Sequence, residues 1–309
     1  MSQEDLPIRF PTLLHSVSYS GSWGQALLPL PEFVDRAAAL GFQGVELMAR
    51  RPHLSLLDYG PAERCRLRAR LEQRGLSHLC VAAYNNFTAD LDHAMPEVEI
   101  QVHYLTELAR LTADLGGTLL RIFTGYEHPA SGFTSQWLLV VNAIRECARR
   151  AAEFGVTIGV QNHHDIGCGF ESQHELVQAV GEPNCKALFD AWAPALHGAD
   201  LGAAARLLAP VTAHTTIANY QRLPRYVYQN GLVNYAPAAP WCQAVPIDEG
   251  FIDYAAFLRS LHAAGFRGSV SYEMCSPLRG GGSLENLDAY AGKFIAFMER
   301  LQAESAAAP

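Results

Sequence analysis

The chain is predicted to be an α/β protein built as one (β/α)8 TIM barrel, and three features of the sequence predict it. Short apolar strand candidates alternate with amphipathic helices along the 309 residues. A glycine stands near the C-terminal end of one helix after another, and eight strand candidates are followed by a helix that returns the chain to the first. Such a barrel takes roughly 250 residues as a single domain, so 1–309 reads as one domain with its core at about 10–302 and a long loop between strands seven and eight. An open doubly wound sheet is the alternative. It would carry a Gly-rich dinucleotide turn after its first strand, where this chain has His15-Ser-Val-Ser-Tyr-Ser-Gly-Ser-Trp23.

In chain order the strands are expected at Thr12 to Val17, Gly44 to Met48, Leu79 to Tyr84, Thr118 to Phe123, Thr157 to Gln161, Ala187 to Asp190, Val211 to Thr216 and Ser269 to Glu273. Leu30, Phe33, Val34, Ala37 and Leu40 line one face of the first helix, and Leu284, Leu287, Ala291, Phe294, Met298 and Leu301 one face of the last, the spacing of an amphipathic helix. Gly41, Gly75, Gly116, Gly155, Gly181 and Gly265 sit where a helix C-cap glycine belongs. Ala39-Leu-Gly-Phe-Gln-Gly-Val-Glu-Leu is echoed by Ala264-Gly-Phe-Arg-Gly-Ser-Val-Ser-Tyr-Glu, a recurrence that implies parallel strands joined by right-handed crossovers. Ser172-Gln-His-Glu175 reads as a capping box. The segment from Asn219 to Gly250 is too long and too rich in Pro and aromatic residues for a plain linker, and reads as a lid or substrate wall. The C-terminal Ala-Glu-Ser-Ala-Ala-Ala-Pro reads as a frayed tail.

With 49% hydrophobic residues the chain can build a large core. No apolar run approaches the ~18 residues of a membrane span, and the first residues lack a secretory pattern, so a cytoplasmic protein with no membrane partner is expected. Cysteines 65, 80, 147, 168, 185, 242 and 275 form no Cys-x-x-Cys pair and read as reduced thiols; Cys275, two residues past Glu273, reads as a small buried residue. A net charge of −8 argues against nucleic acid.

Chemistry concentrates where strands end. Val156 to Asp165 runs from an apolar strand into Gln161, Asn162, His163, His164 and Asp165. Lys186 to Asp190, Val211 to His214 and Ser269 to Glu273 likewise finish on a residue that can bind metal or move a proton. In a parallel barrel those ends share one face, which would gather Gln161, Asp190, His214 and Glu273. Arg121, in mid-strand, could reach a substrate or neutralise Glu46. Arg279 and the glycines after it lie before a helix, where an anion or sugar hydroxyls could be held.

These motifs, Gly-Val-Gln-Asn-His on strand five, Leu-Phe-Asp on strand six, His214 on strand seven and Tyr-Glu-Met on strand eight, resemble those of the xylose-isomerase-like TIM barrels, the sugar phosphate isomerase/epimerase superfamily. The resemblance covers nearly the whole chain. It implies a divalent metal (Mn, Co, Zn or Mg) held by Gln161, Asp190, His214 and Glu273, and a sugar or polyol as substrate. Two positions depart from the pattern: Gln161 stands where the family has Glu, and Ala193 where it often has His. Since an amide is no base, the two-glutamate epimerase mechanism loses a partner, leaving Glu273 with His163 or His164 as the acid/base pair; strand alternation suggests that only one of these histidines faces the site. The resemblance implies an isomerase or epimerase first and a lyase or dehydratase on a keto-sugar or keto-polyol second. An abasic-site endonuclease relative or a non-catalytic sugar-binding barrel comes behind. Asn162, His164, Arg121, Arg279 and Glu46 complete the set expected to face substrate. The aromatic residues of 219–250 could serve this subunit's site or that of a neighbour in a homo-oligomer.

Overall fold

The computed structural model of the chain describes residues 7–89 and 95–307. Its strands are β1 (Thr12–His15), β2 (Gly44–Met48), β3 (His78–Ala82), β4 (Leu119–Ile122), β5 (Thr157–Gln161), β6 (Cys185–Asp190), β7 (Thr212–Ile217), β8 (Asn219–Gln229), β9 (Asn234–Val245) and β10 (Ser269–Tyr272). Eight of them close into a parallel barrel in the order β1-β10-β7-β6-β5-β4-β3-β2, and β8 and β9 form a separate antiparallel pair. The helices are α1 (Leu30–Ala39), α2 (Pro61–Gln73), α3 (Glu97–Asp114), α4 (Phe133–Ala152), α5 (Phe170–Val180), α6 (Trp192–Leu196), α7 (Leu201–Leu208), α8 (Tyr254–Ala263) and α9 (Leu284–Ala307).

All eight barrel strands form where the apolar runs place them. β1 stops earlier than expected, at His15, because the chain tightens into a 3-10 turn over Ser16–Tyr19 in which the Val17 N–H donates to His15 Nδ1. β7 runs on to Ile217, so His214 lies in mid-strand instead of at its end. The six expected cap glycines all take positive φ, as a left-handed cap requires. The capping box does not form: α5 starts after Gly169, and Ser172 lies inside its first turn with its hydroxyl donating to Gly169 O.

The two echoed segments do the same job at two places. Phe42 and Phe266 are buried at the foot of β2 and β10, and a Cβ on Gly44 or Gly268 would lie 2.1 or 2.0 Å from the carbonyl oxygen of His78 or Ala213 on the adjoining chain. Only glycine permits that approach. On α1, Leu30, Phe33, Val34 and Ala37 are buried; on α9, Leu287, Ala291, Phe294, Met298 and Leu301 are buried, with Leu284 partly so. Phe294 stacks between Tyr272 (4.7 Å) and Phe42 (5.7 Å), which docks the last helix where the sheet closes.

The segment expected as a lid or substrate wall is an arm. β8 and β9 pair along most of their length, and Tyr226, Val227, Tyr228, Leu232, Val233 and Tyr235 toward its tip are exposed. Only its base reaches the barrel mouth. None of the described helices is long and apolar enough to cross a membrane.

Candidate active site at the mouth of the barrel

A cavity of about 410 Å³ opens at the C-terminal ends of the strands, the face where barrels of this kind carry their chemistry. Gln161 ends β5, Asp190 ends β6, and Glu273 follows β10, its N–H bonded to Ile217 O; all three line the cavity with Arg121, His163 and His164. The walls are aromatic: Trp23, Tyr84, Phe123, Tyr126, Trp192 and Tyr220. Aromatic walls with a few convergent polar groups are the usual lining of a small-molecule site.

Below the cavity lies a closed polar layer. Register places His15 beside Glu46, and Glu46 beside Cys80. Around the fully buried Glu46 carboxyl stand His15 Nε2 at 3.6 Å, Arg121 Nε at 3.6 Å and His214 Nε2 at 3.4 Å, with the Thr216 hydroxyl donating at 3.4 Å. Burial alone would push Glu46 up, but these neighbours outweigh it and hold the carboxyl below its usual range, so it stays ionised. Arg121 links this floor to the cavity: its Nη1 donates to Gln161 Oε1 at 2.9 Å, and its guanidinium carbon lies 4.2 Å from the Phe123 ring centre and 5.2 Å from that of Tyr84.

Several expected residues take other places. His214 pairs in register with Ser269, two residues below the level at which Asp190 faces Thr216, and it does not line the cavity. Its Nδ1 meets Ser269 Oγ at 2.7 Å and its Nε2 faces Glu46. Asn162 is buried and clamps backbone: its Oδ1 accepts from Asp190 N–H at 2.7 Å and its Nδ2 donates to Asp190 O at 2.8 Å. It therefore sets the pose of Asp190 and does not line the cavity. Glu46 belongs to the floor. Arg279 pairs with Glu249 outside the cavity, and the glycines after it serve packing, since Gly282 O accepts from Ala26 N–H at 2.7 Å.

Both strand-five histidines face the cavity, against the alternation expected of a strand. His164 has φ of 71°, a left-handed pose that turns its ring back beside that of His163, with the two Nδ1 atoms 2.7 Å apart, and stacks it 3.9 Å from Tyr126. Strain of this kind in a non-glycine residue gathers at functional sites. Cys275 is also in the site, its sulfur 3.2 Å from the Tyr220 hydroxyl. Of the lining aromatics the sequence points only to those of 219–250, which include Tyr220; Tyr84, Phe123 and Trp192 each follow a strand by a residue or two.

Burial raises Glu273 to about 8, with Glu46 and Asp190 adding to the rise and Arg121 opposing it. Burial likewise raises Asp190 to about 6, held back by the Trp192 N–H, Gln161 and Arg121. Desolvation lowers His163 to about 3 and His164 to about 4, so both imidazoles are neutral at physiological pH. A neutral imidazole offers one hydrogen-bond donor and one acceptor.

The four-residue metal set does not assemble. Gln161 spends its oxygen on Arg121 and its Nε2 on Asp190 at 3.2 Å, and His214 is turned to Glu46. Two carboxyl groups remain beside a fixed positive charge. Among the described residues, Glu46, Cys80 and His214 place possible ligand atoms within 4.8 Å of one another and could hold an ion, but they lie in the closed floor with no surface toward the cavity.

A search of curated proteins found no match. Among solved structures, the chain is similar to an L-ribulose 3-epimerase (20% identity, 96% of each chain covered, TM-score 0.72). It is also similar to a D-psicose 3-epimerase from Clostridium cellulolyticum H10 (17% identity, 94% of this chain and 99% of that one, TM-score 0.71). A third is the probable 3-DHS dehydratase of petrobactin synthesis from Bacillus anthracis (19%, 93% and 98%, 0.68). At these identities the likeness shows the fold. The family model described as xylose isomerase-like TIM barrel matches residues 34–300, and the chain belongs to that family.

Proposed function

We propose that the chain is an enzyme acting on a sugar or keto-polyol by moving a proton at the carbon next to a carbonyl, with Glu273 as the base. The observation that carries this reading is a carboxyl raised to about 8, opening onto an aromatic-walled cavity that also holds Asp190 and Arg121. A base whose pKa lies near the working pH combines a useful ionised fraction with real proton affinity. Asp190, one strand removed and raised to about 6, is better poised than His163 to carry the second proton transfer. His163 and His164 would hold substrate hydroxyls. No step is routed through a divalent metal, because the expected donor set is not gathered.

Isomerisation or epimerisation comes first, in keeping with relatives named as 3-epimerases. Elimination of water or an alkoxide is the second reading. Gln161 favours it, since a lone base beside an acid suffices for elimination. Incubation with ketoses, aldoses and keto-polyols, followed by NMR of the products, separates the two. A new epimer or aldose/ketose partner supports the first, and an unsaturated carbonyl product the second. Neither product across the panel contradicts both.

A further inference from the structure

Removal of a proton next to a carbonyl leaves negative charge on oxygen, and the site must answer it with a cation or with several donors. We infer that Arg121 supplies that charge, its guanidinium standing where the family resemblance would put a divalent metal. The inference rests on the reaction proposed above, and on how the side chains around Arg121 are committed.

The amide of Gln161 is the first part. A metal would need its oxygen, but Oε1 accepts from Arg121 Nη1 at 2.9 Å while Nε2 donates to Asp190 Oδ2 at 3.2 Å. Turning the amide over would set its N–H bonds against those of the guanidinium and its oxygen against a carboxylate, so this orientation is the only one its neighbours satisfy. The second part is the level of His214: Thr216 occupies the position beside Asp190, and both imidazole nitrogens lower down are engaged, by Ser269 and Glu46. The third part is charge. A cation is already built into this place: Arg121 Nε stands 3.6 Å from Glu46 and its Nη1 is bonded to Gln161, where a divalent ion would have to share the same neighbours.

Arg121 is also built to stay where it is. It is 3% exposed, faces the rings of Tyr84 and Phe123, and lines the cavity. A guanidinium carries five N–H groups in a fixed fork and keeps its charge at any working pH. With Nη1 on Gln161, Nε turned toward Glu46 and Nη2 at 3.5 Å from His15 Nε2, the second N–H of Nη1 and of Nη2 are the donors left for a ligand oxygen. Gln161 thereby becomes a positioning residue that holds the fork, which accounts for an amide where a metal site would use a carboxylate.

The test uses oxalate, a planar dianion shaped like an enediolate, titrated by calorimetry into the full chain in EDTA and then with Mn²⁺. Electron paramagnetic resonance counts bound Mn²⁺ in the wild type and in Cys80→Ser, which removes a ligand from the floor cluster. The expected result is oxalate binding in EDTA that Mn²⁺ does not strengthen, a loss of at least tenfold in Arg121→Met, and a smaller loss in Arg121→Lys, which keeps the charge but not the fork. Arg121→Lys also serves if the Met variant does not fold. Oxalate binding that requires Mn²⁺, with stoichiometric Mn²⁺ lost in Asp190→Ala, overturns the inference; so does failure of oxalate to bind under either condition. If oxalate binds without metal but no substrate on the panel reacts, the reaction proposed above fails while the charge arrangement stands.

Discussion

Glu273 couples the site to stability in a direction that can be worked out. Its pKa is raised in the fold from 4.5 to about 8, so between those values the unfolded chain has lost the proton and the folded one still holds it. Stability from this group is therefore full below about 4.5 and is lost as the pH rises through about 8. Glu273→Gln keeps the shape of the protonated acid; thermal melts should place it level with wild type at pH 4 and above it at pH 9, and the reverse order would contradict the assignment. Glu46 is the opposite case, an ionised group sealed among cationic and N–H partners, and Glu46→Gln leaves Arg121 without its counter-charge. Urea unfolding should show a loss of about 3 kcal/mol, the scale on which breaking a buried pair is felt. At His164 the positive φ costs stability in any residue with a Cβ. His164→Gly should unfold about 1 kcal/mol harder than His164→Ala, which keeps the strain and loses the ring. Asp190 and Glu273 were legible in the sequence because each ends an apolar run. The placing of His214 was not, since its level depends on the register of β7 against β6 and β10, which sets it beside Ser269 and two residues below Asp190. The second histidine in the cavity was hidden as well, because strand alternation fails where the backbone turns left-handed.

Among the elements, the barrel strands were readable because each is a short apolar run closed by a glycine-capped helix before it. The β8–β9 arm was not readable, because Pro224, Pro237 and Pro240 argue against strands. They are tolerated in an isolated pair whose outer edges face solvent, and the register shifts between Leu223 and Arg225. Since the outer part of the arm pairs mainly with itself, replacing residues 223–241 by a short glycine turn should shift the melting temperature by less than about 3 °C, the equivalent of under ~2 kcal/mol for a chain of this size. Calorimetry of that deletion checks it; a large drop would mean that the arm braces the barrel. The base must be kept, because Asn219 ties Ile247 O and Ile252 O together and Tyr220 walls the cavity.

At the scale of the whole molecule, closure of eight strands brings Arg121, Asp190 and Glu273 from three separated stretches to one mouth. The approach of Asp190 and Glu273 was legible from the order of strand ends; that of Arg121, in mid-strand, was not. The sequence leaves the use of Arg121 open between substrate and Glu46; in the structure its one long side chain faces Glu46 in the floor and also lines the cavity. The proposed reaction turns on proton removal by Glu273, which lines the aromatic-walled cavity. Its most direct test is NMR in deuterated water with the ketose or keto-polyol that the wild type turns over, recorded for wild type and Glu273→Gln. Deuterium should enter the carbon next to the carbonyl, or that carbon should lose its proton in an unsaturated product, with a rate at least ~100-fold lower in the variant. Equal rates in the two proteins would contradict Glu273 as the base.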